Sequence, residues 1–282
     1  MKSLSLFIML TVCVSITSAQ SPKSCCVGGS ATEEFAMLVN DPKFVNSHLA
    51  PIPFPYQAAA GSWITFKTPD GGEGRAFEVK ASKPTDNVIL LFHEWWGLNE
   101  YIQKEAENWQ KELGNVNVLA LDLYDKKVAT TQEDAAKAMG ELKESRAKAI
   151  VEGALKHVGS KARIGTIGWC MGGGWSLQAS LLAEKQAVAC VMYYGMPEKD
   201  TVRLKSLASP VLFIFASEDQ WINESVVDEF RKTMKIANKS LDVRTYKADH
   251  AFANPSNPQF DKEATADAHK NAAEFFKRNL LK

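Results

Sequence analysis

The 282-residue chain has only five cysteines and no excess of charge of either sign, with 33 Lys and Arg against 33 Asp and Glu. Without a basic run there is no electrostatic footprint for a nucleic acid or an anionic membrane surface. No Gly-x-Gly-x-x-Gly, phosphate loop or metal-ligand spacing occurs, so no nucleotide, metal or other cofactor is implied. Internal repeats and low-complexity tracts are missing as well. The N-terminal apolar run from Leu4 to Val14 is too short to span a bilayer comfortably.

That run has another use. Lys2 precedes it and the small residues Thr17, Ser18 and Ala19 follow, which is the form of an export signal cleaved before Gln20. The expected organisation is a signal peptide over 1–19, an N-terminal extension over 20–60 and a main domain over 61–282. Such a chain is exported, to periplasm or medium, with no stable membrane anchor after cleavage. Cys13 leaves with the signal, and the remaining Cys25, Cys26, Cys170 and Cys190 allow three complete pairings. Cys190 lies inside an apolar run and reads first as a buried small hydrophobe. In the extension, "TEEFAMLVNDPKFVNSHL" predicts one short helix capped by Thr32, and "APIPFPYQAAAG" predicts an extended strap.

The main domain opens with a hairpin, "SWITFKT" and "RAFEV" around the Gly-rich turn "PDGGEG". Continuous apolar runs follow: "VILLF", "VNVLAL", "AVACVMYY" and "PVLFIF", with the shorter "ARIGTIG" among them. Continuous rather than alternating runs indicate strands buried on both faces, as in a parallel sheet. Helical stretches separate them, including "YIQKEAENWQKEL", a long helix after Thr131 ending near Lys156, and an amphipathic C-terminal helix. Strand and helix alternation predicts an α/β fold with a doubly wound, mostly parallel sheet.

Within it, "RIGTIGWCMGGGWSL" places Cys170 between a strand and a helix, flanked by Gly168 and Gly172. Gly-x-Cys-x-Gly is the pattern of a nucleophile elbow with sulfur in place of oxygen. A thiol at a helix N-terminus also has its thiolate favoured by the helix dipole. Asp219 in "ASEDQWI" follows the next-but-one strand, and His250 in "ADHAFANP" follows the strand after that. Nucleophile, acid, histidine is the chain order of α/β hydrolases. His250 would then take the thiol proton while Asp219 orients the imidazole. Two backbone N–H groups should hold the oxyanion, those of Met171 and Trp95.

The motifs "HEWWGLNE", "LDLY", "GWCMGG", "MYYG", "ASEDQWI" and "DHAFAN", in that order over about residues 61 to 282, closely resemble the dienelactone hydrolase family. The resemblance implies an α/β-hydrolase-like fold, a Cys-His-Asp triad at Cys170, His250 and Asp219, and hydrolysis of lactones or carboxylic esters. It also implies that Glu94 interacts with the nucleophile and assists its activation. Two arginines that clamp a substrate carboxylate in the prototype enzymes have no counterpart. One position is Asn254 here, and the other falls in a segment where Lys126 or Lys127 offers a point charge instead of a fork.

The aromatics Trp95, Trp96, Trp169, Tyr193, Tyr194 and Trp221 point to an apolar or ring-bearing substrate group, though part of this set is core packing. His93 reads as a strand-end structural residue, and His48, His157 and His269 as surface or helix residues. The expected activity is hydrolysis of small esters or lactones through a cysteinyl acyl-enzyme. Two alternatives use the same residues. One is an acyltransferase with the same intermediate; the other is a non-catalytic ligand-binding or redox protein.

Overall fold

Apolar strands that run continuously need cover on both faces, and the helices between them supply it. A computed structural model describes residues 30–53 and 55–281. The expected signal peptide, Cys25 and Cys26 lie outside the described residues. Eight strands, β1 (Gly61–Lys67), β2 (Glu73–Val79), β3 (Asn87–Phe92), β4 (Asn117–Leu121), β5 (Arg163–Trp169), β6 (Ala187–Tyr193), β7 (Val211–Ala216) and β8 (Leu241–Tyr246), form one sheet. Its order is β1-β2-β4-β3-β5-β6-β7-β8. The hairpin β1–β2 and the pair β2–β4 are antiparallel, and all pairs from β4 through β3 to β8 are parallel. The expected α/β fold with a mostly parallel sheet is the fold observed.

Strands β3 and β7 are buried at every position. The helix after the elbow, α6 (Met171–Ala183), is buried nearly all round, which explains its uniformly apolar sequence. Outer helices keep one wet face: α3 (Glu100–Leu113), α8 (Glu224–Ile236) and α9 (Lys262–Asn279) bury only stripes of apolar side chains. Among the described residues no helix is long and apolar enough to cross a membrane.

Two helices expected to be continuous are broken. The stretch after Thr131 is α4 (Gln132–Glu141) followed by α5 (Glu144–Val158). Thr131 does cap the first, its hydroxyl accepting from Asp134 N at 3.1 Å. Gly140 weakens the last turn of α4, and Leu142 and Lys143 then turn extended. In the extension, α1 (Ala31–Met37) and α2 (Pro42–Ser47) replace the single helix. Pro42 forces Asp41 out of helical geometry, and Asp41 then caps α2 from Lys43 N at 2.9 Å. The cap of α1 is Ser30, not Thr32: Ser30 Oγ accepts from Glu33 N while Glu33 returns to Ser30 N, a reciprocal capping box.

The extension lies on the carboxyl ends of the parallel strands, where such folds hold their sites. Phe44 is fully buried there, edge-on to Trp95 and Trp221 at 5.6 and 5.2 Å. Gln132 donates to the carbonyls of Val45 and His48 at the end of α2, the first of which also accepts from His48 N. Trp221 Nε1 donates to Asp41 at 2.9 Å.

Candidate active site

Cys170 sits at the tip of the turn between β5 and α6, with φ 57° and ψ −121°. A non-glycine residue in that region is strained, and the surroundings must hold it there. Its own N–H donates to Tyr193 O at 3.0 Å. The flanking glycines are required by space. A Cβ on Gly168 would lie 2.1 Å from Gly172 O, and one on Gly172 would lie 2.4 Å from the carbonyl oxygens of Phe92 and His93.

Three loops then converge on the sulfur. His250 Nε2 lies 3.2 Å from Cys170 Sγ, and His250 Nδ1 lies 2.6 Å from Asp219 Oδ2. The other oxygen, Asp219 Oδ1, accepts from Trp221 N at 2.8 Å and Ile222 N at 2.9 Å. Since the carboxylate can only accept, the Nδ1 proton belongs to His250, and its Nε2 lone pair faces the thiol.

Burial shapes the electrostatics, because all three side chains are nearly sealed from solvent. Burial pushes the Cys170 thiol up and the Glu94 charge adds to that, while His250 opposes it. A protonated thiol is therefore the favoured resting form. Burial alone would depress His250, but the Asp219 carboxylate and, once it has ionised, the sulfur outweigh it and raise the imidazole well above its usual value, so a proton lost by the thiol is held on Nε2. Burial would likewise raise Asp219; the His250 charge and its hydrogen bonds hold it below the usual carboxylate range.

Glu94 is the second acid. Burial raises its carboxyl to about 7, against the opposing influence of His250 and Asn254. Asn254, expected at the substrate, donates its amide to Glu94 Oε2 and also lines the cavity. His93 fixes the loop beneath. Its Nδ1–H donates to Glu94 O at 2.6 Å, and its Nε2 accepts from Leu123 N at 3.1 Å. The structural reading of His93 therefore stands. Met171 is the first residue of α6, where the N–H groups lack intrahelical carbonyl partners, and Trp95 lies on the loop after β3.

A cavity of about 350 Å³ opens beside Glu94, lined by Trp96, Trp169, Tyr193, Asn254, Phe260 and His269 among others. Of the aromatics singled out in the sequence, Trp96, Trp169 and Tyr193 thus face it. Tyr194 and Trp221 pack around His250 at 5.1 and 6.0 Å between ring centroids. Lys126 does not join them: it is exposed on the loop after β4 and is not among the residues lining the cavity. Cys190 is a free, buried thiol in β6, as its apolar run suggested.

The residue that the sequence reading missed is His48. The sequence reads it as a surface or helix residue; it ends α2 but is only 4% exposed, with Nε2 4.0 Å from Cys170 Sγ. Its ring packs on Phe44, Trp95 and His250 at 4.2, 4.6 and 5.2 Å. The signal was faint but present. Phe44 and His48 are four apart on one helical face, just after the Asp41-Pro42 start signal. His48, Cys170 and His250 are also the group of ligand-type atoms, within 4.8 Å of one another, that could hold a metal ion among the described residues.

Comparison with known proteins agrees with this architecture. Residues 74–280 match the model of the dienelactone hydrolase family. The chain is 27% identical over 205 residues to the carboxymethylenebutenolidase of a Pseudomonas species, covering 68% of this chain and 84% of that protein. Among solved structures, a dienelactone hydrolase from Anabaena variabilis superposes with a TM-score of 0.57 at 18% identity, over 79% of this chain and all of that one. A dienelactone hydrolase-like promiscuous phosphotriesterase from metagenomic libraries gives 0.65 at 17% identity, over 78% and 99% of the two chains.

Proposed function

The chain belongs to the dienelactone hydrolase family, and from that premise we propose that it hydrolyses small carboxylic esters or lactones through a cysteinyl acyl-enzyme. The observation that carries this reading is His250, which bridges Cys170 Sγ at 3.2 Å and Asp219 at 2.6 Å across a strained elbow. His250 Nε2 takes the thiol proton as Sγ attacks the acyl carbon. The N–H groups of Met171 and Trp95 receive the oxyanion. Collapse expels the alkoxide, which takes the proton from His250. Water, activated by the same imidazole, then splits the thioester, releasing the acid and returning the proton to sulfur. Asp219 holds the ring in its working tautomer throughout.

Glu94 is read as a brake on the resting thiol. Its charge disfavours the thiolate, and substrate that displaces or neutralises it frees the nucleophile. The lining of aromatic rings supports an apolar or ring-bearing substrate, bound in the cavity beside Trp96 and Trp169. The Pseudomonas relative's name makes a lactone the first ring to try. Export with cleavage before Gln20 is part of the same reading and rests on the sequence of residues 1–19; N-terminal sequencing of the secreted or periplasmic protein checks it.

The test is intact mass at short times after mixing with a small aryl ester, alongside Cys170→Ala. An acyl-sized gain that vanishes in the variant is expected. No adduct and no turnover, with the thiol confirmed reduced, overturns the hydrolase reading and favours a binding or redox protein. Product analysis with added alcohols separates hydrolysis from acyl transfer.

A further inference from the structure

His48 has no part in the chemistry described so far. Burial and the neighbouring His250 charge hold its imidazolium down at about 3, so it is neutral at any working pH and cannot store the thiol proton. Its ring packs on Phe44, Trp95 and His250, and its Nδ1–H donates to the carbonyl of Phe44. Its Nε2 faces the Cys170 sulfur at 4.0 Å, a spacing open either to a weak S–H···N contact or to a shared ligand atom.

We propose that His48, Cys170 and His250 form a three-ligand site for a soft divalent cation, Zn²⁺, which the N-terminal extension completes and whose occupancy shuts off the nucleophile. The ligand chemistry is that of zinc: one thiolate and two neutral imidazoles. Tetrahedral zinc needs S···N separations of ~3.6 Å and N···N separations of ~3.4 Å, given Zn–S and Zn–N bonds of ~2.3 and ~2.1 Å. The separations here are 3.2 and 4.0 Å from Sγ to the two Nε2 atoms, with all three ligand atoms within 4.8 Å of one another. The two sulfur–nitrogen distances bracket the tetrahedral value, so binding an ion chiefly requires the two Nε2 atoms to draw together.

Orientation argues more strongly than distance. Both histidines donate Nδ1–H to a fixed oxygen, His250 to Asp219 at 2.6 Å and His48 to Phe44 O at 2.6 Å. That is the supporting shell that sets the tautomer of zinc-bound histidines. Both Nε2 lone pairs consequently aim at one sulfur. Binding releases one proton, from the thiol or from His250 according to which of the two holds it, and involves no change of oxidation state. Once bound, the sulfur pair and the base are both occupied, so the free thiol–imidazole pair that attack requires is gone. A fourth position stays open to water or a substrate oxygen.

The test is titration of the reduced full chain with Co²⁺, then Zn²⁺. One cobalt per chain is expected, with a thiolate-to-cobalt charge-transfer band and the visible bands of a tetrahedral site, all displaced by Zn²⁺. Cys170→Ala should abolish the charge-transfer band. His48→Phe, which preserves the aromatic packing and removes Nε2, should weaken Zn²⁺ binding at least a hundredfold. Unchanged affinity in His48→Phe, or cobalt bound without the sulfur band, overturns the proposal. If His48→Phe loses its fold by circular dichroism, the wild-type stoichiometry and the Cys170→Ala band decide instead. Metal binding needs no turnover, so its failure and the failure of the hydrolase reading are distinguishable: an acyl adduct without a cobalt band removes only the metal site.

Discussion

Glu94→Gln isolates the effect of burying a carboxyl beside a thiol. Glu94 ionises at an ordinary 4.5 in the unfolded chain and at about 7 in the folded one, mainly because burial disfavours the carboxylate. Between those pH values the folded state holds the proton that the unfolded state has lost, so stability falls as pH rises through that window. At ~1.36 kcal/mol per pH unit the loss reaches about 3 kcal/mol above pH 7. That figure is already net of the favourable contributions of His250 and Asn254, which act on the carboxylate. Glutamine keeps a carbonyl oxygen for the Asn254 amide and has nothing to titrate. Urea denaturation of both proteins at pH 5 and pH 8 should therefore show a stability advantage of the variant that grows by roughly 2–3 kcal/mol, with equal m-values. An advantage that is the same at both pH values refutes the reasoning. The same variant tests the brake: its Cys170 should react with iodoacetamide faster than wild type at pH 8, where the carboxylate is charged, and similarly at pH 5.

Three further outcomes are expected. Gly172→Ala sets a Cβ 2.4 Å from two backbone oxygens that cannot move independently of β3, and should cost about 3 kcal/mol or more in thermal or urea unfolding; a loss under ~1 kcal/mol contradicts the packing described. Asp219→Asn removes the acceptor that fixes the His250 tautomer, and ester turnover should fall by ~10³–10⁴ with the fold retained; near-normal kcat would remove Asp219 from the mechanism. Phe44→Ala empties a fully buried ring site and should cost ~3–5 kcal/mol of docking of the extension. Hydrogen exchange in residues 31–47 and the iodoacetamide rate at Cys170 should rise together, by ~10²–10³-fold or more, while the main sheet keeps its protection.

The thiol is covered by two different means, and they have different consequences. Glu94 acts by charge and titrates near neutrality, so its influence varies with pH. The extension acts by volume: Phe44 packs against the His250 ring, and His48 packs against Phe44 and His250 with its Nε2 facing Cys170 Sγ. The anchors of α2 are a few hydrogen bonds, to Asp41 from Trp221 and from Gln132 to two carbonyls, together with the Phe44 ring. Such a segment opens at lower free energy than the sheet beneath it.

Much of this protein is written locally in its sequence. Continuous apolar strands require burial on both faces, so the parallel sheet followed from composition over six-residue stretches. Gly168, Cys170 and Gly172 announced the elbow because a strained turn leaves no room for side chains at those spacings. Asp219 and His250 were legible because each follows a strand at its carboxyl end, the first strand fully buried and the second at the half-exposed edge, where the sheet itself brings them to Cys170. The helix breaks at Asp41-Pro42 and at Leu142-Lys143 were less visible, being decided by one or two residues against a favourable run. His48 was not legible as a site residue. It stands 122 residues before Cys170 in an extension outside the sheet, and a lone histidine at the end of a six-residue helix carries no periodicity of its own. Only the docking of α2, through Phe44 and the side chains of Gln132 and Trp221, turns its ring onto the sulfur. That contact is a property of how two separately encoded surfaces fit, and no short stretch of chain contains it.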